Sequence, residues 1–117
     1  MKLLFLEDHT FFAKEVIEYI HMFIDESIEI SYANTYKEAE KMVEIHGKFD
    51  RAIIDFQLQN GRNGIEFVDK NKDNIGAVLF ITGCIETSVL DALEQKNYKY
   101  LSKKDLLWIP LKKFLQN

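Results

Sequence analysis

The chain has 117 residues, 47% of them hydrophobic and 29% charged, and its 15 Lys/Arg against 19 Asp/Glu give a formal charge of −4. That length suits one domain with one core, and the mild acidity offers no evident cationic face for nucleic acid. The lone cysteine, Cys84, excludes an intramolecular disulfide and a cysteine-based zinc site. No apolar run approaches the ~20 residues of a membrane span. Glu7 and Asp8 interrupt the apolar start too early for a secretory leader, so the expected compartment is the cytoplasm.

In chain order, the first apolar run, residues 2–6, reads as a buried strand. A helix follows from Thr10, with Phe11, Phe12, Val16, Ile17, Ile20, Phe23 and Ile24 at helical spacing and Glu15 and Glu18 toward its start. Residues 28–32 alternate as a half-exposed edge strand, and Thr35 opens a helix that Gly47 stops. Residues 51–54 form the next buried run, followed by a helix from Asn63-Gly64. Residues 77–81 lead to a helix from Thr87-Ser88. Residues 98–101 lead to a last helix placed with Pro110 at its first position, after an irregular turn over residues 105–109. Five strand–helix units in succession imply right-handed crossovers and a parallel sheet between two helical layers.

In such sheets the site lies outside the carboxyl ends of the strands. There the sequence puts Glu7 and Asp8 after the first strand, Asp55 after the third, Thr82-Gly83 after the fourth and Ser102-Lys103-Lys104 after the fifth. Taken singly, these are ordinary residues: Asp55 a helix cap, Thr82 a turn residue, Lys103 a surface lysine. Together they converge. Three carboxylates a few Å apart raise one another's pKa unless a cation neutralises them, and hard oxygen ligands suit Mg²⁺. A carboxylate can also act as a nucleophile toward phosphorus, with a lysine and a hydroxyl to pair the phosphoryl oxygens.

On these residues the sequence resembles the receiver domain of bacterial two-component response regulators, over essentially the whole chain. Glu7-Asp8, Asp55 within Ile53-Ile54-Asp55-Phe56-Gln57-Leu58, Thr82-Gly83 and Tyr100-Leu101-Ser102-Lys103 follow in the family's order and spacing. The resemblance implies a (βα)5 doubly wound, flavodoxin-like sheet in the order 2-1-3-4-5 with helices on both faces. It also implies one receiver domain over residues 1–117, with no output domain. Asp55 then matches the phospho-acceptor, and Asp8, Asp55 and the Gln57 backbone carbonyl match Mg²⁺ ligands, with Glu7 holding the metal through water. Thr82 matches the switch hydroxyl, Lys103 the phosphate-pairing lysine and Tyr100 the switch aromatic, with Tyr98 on the same side of its strand as the competitor. Gly83 matches the small residue that leaves the phosphate reachable, and Gln57 and Cys84 match positions that tune dephosphorylation. The implied partners are a sensor histidine kinase or phosphotransfer protein, a downstream target and a phosphorylation-dependent homodimer, with no direct nucleic acid and no membrane. The chain would be a signalling domain that catalyses only its own phosphorylation and dephosphorylation.

Some positions depart from the family pattern. Lys104 stands where a proline usually follows the lysine, and Gln59 replaces another proline. Gly64 comes one residue late, so residues 60–63 are expected to form a longer, more mobile loop. These departures motivate a second reading, a receiver-like scaffold that binds a partner without phosphate turnover. The complete set of acids, hydroxyl and lysine weighs against it. A flavin site would want a Gly/Ser/Thr loop after the first strand, and an aspartyl phosphatase an Asp-x-Asp there; both are absent. His9 reads as a surface residue, one of Phe11 and Phe12 as core and the other as exposed, and Trp108 as a candidate contact residue.

Overall fold

Five segments form strands: β1 (Lys2–Leu6), β2 (Glu29–Ala33), β3 (Phe49–Asp55), β4 (Ile75–Thr82) and β5 (Lys99–Ser102). All four ladders are parallel, and the sheet order is β2-β1-β3-β4-β5, as the strand–helix alternation and the resemblance imply. The helices are α1 (Thr10–Tyr19), α2 (Tyr36–His46), α3 (Gly64–Lys70), α4 (Thr87–Gln95) and α5 (Trp108–Gln116). The computed structural model describes residues 1–58, 61–83, 86–103 and 108–116, with Trp108 as backbone only.

The central strands are apolar on both sides because both sides are covered. Leu4, Leu6, Ala52, Ile54 and Phe80 pack on one face beneath residues of α2, α3 and α4, including Tyr36, Phe67 and Leu93. Leu3, Phe5, Ile53, Leu79 and Ile81 pack on the other beneath Ala13, Val16, Leu111 and Leu115 of α1 and α5. The edge strand β2 stays half exposed, as its alternation predicts. The Thr35 hydroxyl caps α2 by accepting from Glu38 N at 3.1 Å, and Gly47, at φ +80°, ends it.

Three local expectations are corrected. α5 begins at Trp108, so Pro110 is its third residue and Ile109 is helical; a proline anywhere in the first turn removes only an N–H that has no intrahelical acceptor. Residues 105–107 of the expected irregular turn lie outside the described residues. The first helical run is not one α-helix: residues Ile20–Ile24 widen into a π-turn, closed by Asp25 N donating to Ile20 O at 2.8 Å. Nor does α1 carry acid in its first turn, since Glu15 and Glu18 fall beyond it and His9, its N-cap residue, makes no side-chain cap bond.

Candidate functional site

Parallel strands end at one edge, so the segments after β1, β3, β4 and β5 meet there whatever their separation in sequence. Backbone bonds extend the ladders just past the strand ends and fix the site's footing. Glu7 N donates to Ala33 O (3.0 Å), Phe56 N to Ile81 O (2.9 Å) and Lys103 N to Thr82 O (2.8 Å). The Tyr32 hydroxyl adds a bond to the Glu7 carbonyl at 2.7 Å.

On this footing Glu7, Asp55 and Thr82 are the buried polar residues among those described, at 0%, 2% and 1% exposure. Lys103 bridges the two acids: its Nζ donates to Glu7 Oε2 at 3.0 Å and to Asp55 Oδ2 at 3.1 Å, lies 2.8 Å from Glu7 Oε1, and sits 5.3 Å from the centre of the Phe12 ring. Glu7 Oε2 also accepts from His9 N at 2.9 Å, and Asp55 Oδ1 from Gln57 N at 3.2 Å. Asp8, Asp55, Gln57, Gly83 and Lys103 open onto a cavity of about 540 Å³, with Phe11 and Phe12 on its wall.

Among the described residues, one lysine among three carboxylates leaves the charge unbalanced. Burial, then the Glu7 charge, push the Asp55 carboxyl up to about 8 against the opposing pull of Lys103. Burial would also raise Asp8, but its hydrogen bonds with the Asp55 and Glu7 carboxyl groups outweigh this and hold it below the usual aspartate value. Lys103 moves the other way: burial pulls it down, but the hydrogen bond to Glu7 and the Asp55 charge raise it above an ordinary lysine. Burial and the neighbouring carboxylate thus favour the protonated form of Asp55, and positive charge brought to the cluster would favour the ionised form.

The donor set fits a divalent cation. Asp8 Oδ1 is buried and lacks a hydrogen-bond partner among the described residues, which is costly for a carboxylate unless something else satisfies it; Glu7 Oε1 is paired only by charge, with the Lys103 ammonium 2.8 Å away. Among the described residues no backbone N–H donates to the Gln57 carbonyl. An isolated bridge pairs Gln57 with Asn63, but its two hydrogen bonds come from the neighbours, Leu58 N to Arg62 O and Gly64 N to Phe56 O. Three carboxylates and a carbonyl are the hard oxygen ligands that Mg²⁺ takes. His9 Nδ1 also comes within 3.3 Å of Asp8 Oδ1, and Glu7, Asp8 and His9 can bring ligand atoms within 4.8 Å of one another. Nitrogen, however, suits Mg²⁺ less well than oxygen.

The other expected residues fall as follows. Gly83 lies on the cavity rim, and a methyl group there would meet only Lys103 Cδ, at an ordinary 3.9 Å. Tyr100 and Tyr98 share one face of β5, against the layer of α2–α4. The Tyr100 hydroxyl donates to Glu94 Oε1 of α4 (2.8 Å), and Tyr98 donates to Asp69 (2.9 Å) with its ring 5.0 Å from Phe80. Cys84, Gln59, Asn60 and Lys104 lie outside the described residues. Of the paired aromatics, Phe11 is 87% exposed and Phe12 packs inward against the α1/α5 layer.

Sequence reading missed two contributions. His9 reads in the sequence as a surface residue, and its adjacency to two acids at a helix start is the signal that points to the site. Gly64 was noted only for its late position, yet a Cβ there would stand 2.5 Å from the Asp55 carbonyl and 2.6 Å from Ile54 Cγ2. The first residue of α3 thus touches the strand end that carries Asp55. Asn63 caps the same helix, its Oδ1 accepting from Glu66 N at 2.9 Å.

This architecture, with acids after β1 and β3 and a lysine after β5, is the receiver-domain fold. The signal receiver domain of a putative Luxo repressor protein from Vibrio parahaemolyticus is 23% identical, with TM-score 0.80 over 98% of this chain and 86% of that one. The BeF3-activated N-terminal receiver domain of Klebsiella pneumoniae RstA is 16% identical, with TM-score 0.78 over 99% and 97%. A CheY-like response regulator receiver domain protein from Methanospirillum hungatei JF-1 is 21% identical, with TM-score 0.72 over 98% and 94%. No family model matches the chain, and no curated protein matches its sequence.

Proposed function

We propose that the chain is a phospho-accepting receiver domain in which Asp55 takes a phosphoryl group from a phosphohistidine donor. The observation that carries this reading is the placement of Asp55. Its carboxylate is almost wholly buried at the end of β3, yet it borders a cavity, with the Lys103 ammonium 3.1 Å away. A structural aspartate has no need of both a lysine partner and an open approach.

In the transfer, an Asp55 carboxylate oxygen forms the new bond to phosphorus as the bond from phosphorus to the donor's imidazole nitrogen breaks. The electron pair leaves with the imidazole. Lys103, released from part of its pairing with Asp55, takes one phosphoryl oxygen, and the Thr82 hydroxyl donates to another. Asp8, Asp55 and the Gln57 carbonyl would hold Mg²⁺ directly, with Glu7 acting through water. Bound there, the ion supplies positive charge against the carboxylates and the incoming phosphoryl oxygens. Asp55 must be ionised to attack, so its raised pKa opposes reaction until positive charge reaches the cluster. Gln57 at the cavity and Cys84 beyond Thr82 are the positions that would set how soon water removes the phosphoryl group.

On this reading the switch runs through Thr82 and Tyr100 to the face formed by α4, β5 and α5, where a downstream protein or a second copy would dock. The partners are a sensor histidine kinase or phosphotransfer protein, the compartment is the cytoplasm, and residues 1–117 act as one receiver domain. The test is labelling by a small phosphodonor with Mg²⁺, read as the mass gain of one phosphoryl group. Wild-type protein should label at Asp55, and Asp55→Asn should not. Full incorporation into Asp55→Asn, or no labelling of folded, Mg²⁺-loaded wild type, would defeat the proposal, and the second result would favour a scaffold without turnover.

A further inference from the structure

A second, larger cavity of about 810 Å³ opens at the other end of the sheet, where the strands begin. Its origin is a mismatch in strand length. β4 has eight residues and β5 four, and their ladder joins only Leu79 with Lys99 through Thr82 with Ser102. Residues 75–78 therefore extend beyond β5, and the exposed Gly76 and Ala77 form a floor of small residues.

Strand periodicity and register place Arg51, Ala77 and Lys99 on one face, the face that carries Ile53, Leu79 and Leu101 beneath α5. α5 adds Lys113 and Phe114, with the Phe114 ring centre 5.8 Å from Arg51 Cζ. Lys72 stands at the far side of the cleft. The described lining residues thus include four cations and no carboxylate, in a chain of net charge −4. Arg51 adds an independent sign: its Nε is buried and has no hydrogen-bond partner among the described residues. A buried, unsatisfied guanidinium N–H costs free energy until an acceptor reaches it.

We propose that this cleft binds a small amphipathic anion, a phosphate or carboxylate group carried on an apolar or aromatic body. Arg51 supplies the planar donor fork that matches either anion, and Lys99 and Lys113 supply flanking point charges. Phe114 and the small floor at Ala77 receive the body. The volume lies within the ordinary range for small-molecule sites. Two ligand sources share this chemistry, a nucleoside monophosphate and a medium-chain fatty acid.

The test follows the backbone amide resonances of the full chain during titration with adenosine monophosphate, with decanoate and with inorganic phosphate. Saturable shifts centred on residues 76–79 and Lys99, from the nucleotide or from decanoate, would support the proposal, and the tighter probe would identify the source. Inorganic phosphate, which lacks the body, should bind at least about tenfold more weakly, and Arg51→Gln or Lys113→Gln should each weaken the better probe by about tenfold or more. Ala77→Phe, which fills the floor without changing charge, should block binding. Because that variant could misfold, the exposed Lys113→Gln keeps the test decisive. The proposal is overturned if no probe saturates at millimolar concentration, if the shifts lie elsewhere, or if binding survives Lys113→Gln and Arg51→Gln. It also fails if the same amides shift with protein concentration alone, which would give the cleft to a second copy of the chain.

Discussion

The two cavities, at opposite ends of the sheet, are lined by different charge for different structural reasons. At the carboxyl end, Glu7, Asp8 and Asp55 crowd around one lysine, and two of the three acids are almost fully buried. At the amino end, Arg51, Lys72, Lys99 and Lys113 surround an open cleft without a carboxylate among its described lining residues. The first cluster is internally coupled, so each of its charges alters the others and the stability of the fold. The second is a surface feature whose charges act mainly on whatever approaches it. A net charge of −4 describes neither end.

Breaking the coupling at the acidic end should give the largest effect. Lys103→Met removes the ammonium that bridges Glu7 and Asp55 and should destabilise the metal-free protein by about 3 kcal/mol at neutral pH, measured by urea unfolding. Adding Asp55→Asn to that variant should recover much of the loss, and a double-mutant cycle that shows simple additivity would mean the two side chains are not coupled.

Gly64→Ala tests the packing that supports the same end. Its methyl group cannot fit beside the Asp55 carbonyl without movement of α3, so a loss of about 1–3 kcal/mol is expected. An unchanged unfolding midpoint would show that α3 shifts freely.

The electrostatic sign can be read from pH. The Asp55 carboxyl is pushed up to about 8 in the folded protein, above the ordinary aspartate value of 3.8. The proton it retains favours the folded state fully below about 3.8, and that contribution is lost as pH rises toward about 8. Asp8 is shifted downward, so its contribution is lost only as pH falls below the usual aspartate range. Asp55→Asn should therefore flatten the slope on the neutral side and raise metal-free stability there by about 1–3 kcal/mol. If its pH profile parallels that of the wild type, the raised carboxyl belongs to another residue.

Mg²⁺ at about five times its dissociation constant should raise wild-type stability by about 1 kcal/mol. Asp8→Asn should lose most of that gain, which thermal unfolding with and without the ion would show. At the other end, Lys99→Gln should change stability by less than about 0.5 kcal/mol, as expected of an exposed charge outside a coupled network. A large loss would mean that the cationic cleft is a structural element rather than a surface.

Much of the acidic end was legible because it depends on local signals joined by one topological rule. The apolar runs marked the strands, the residues after them were polar and chemically distinctive, and parallel strands must deliver such residues to one edge. Strand limits were less legible: Phe49 and Ile75 extend β3 and β4 because they pair with each other and are buried, a fact about partners rather than periodicity. Pro110 misled for a related reason. Its ring fixes one φ angle and removes one donor, which restricts it to the first turn without saying which residue of that turn it occupies.

What the sequence determined by itself was the alternation of strand and helix, the two-sided burial of the central strands and the identity of the polar residues at their carboxyl ends. These follow from periodicity and from chain order. Only the tertiary structure decided that Lys103 bridges Glu7 and Asp55 and that Gly64 lies against the Asp55 carbonyl. It alone gathered Arg51, Lys72, Lys99 and Lys113 around one cleft. Those residues lie on separate elements of the chain, and their meeting depends on strand register, strand length and the packing of α5, none of which leaves a pattern in the linear chain.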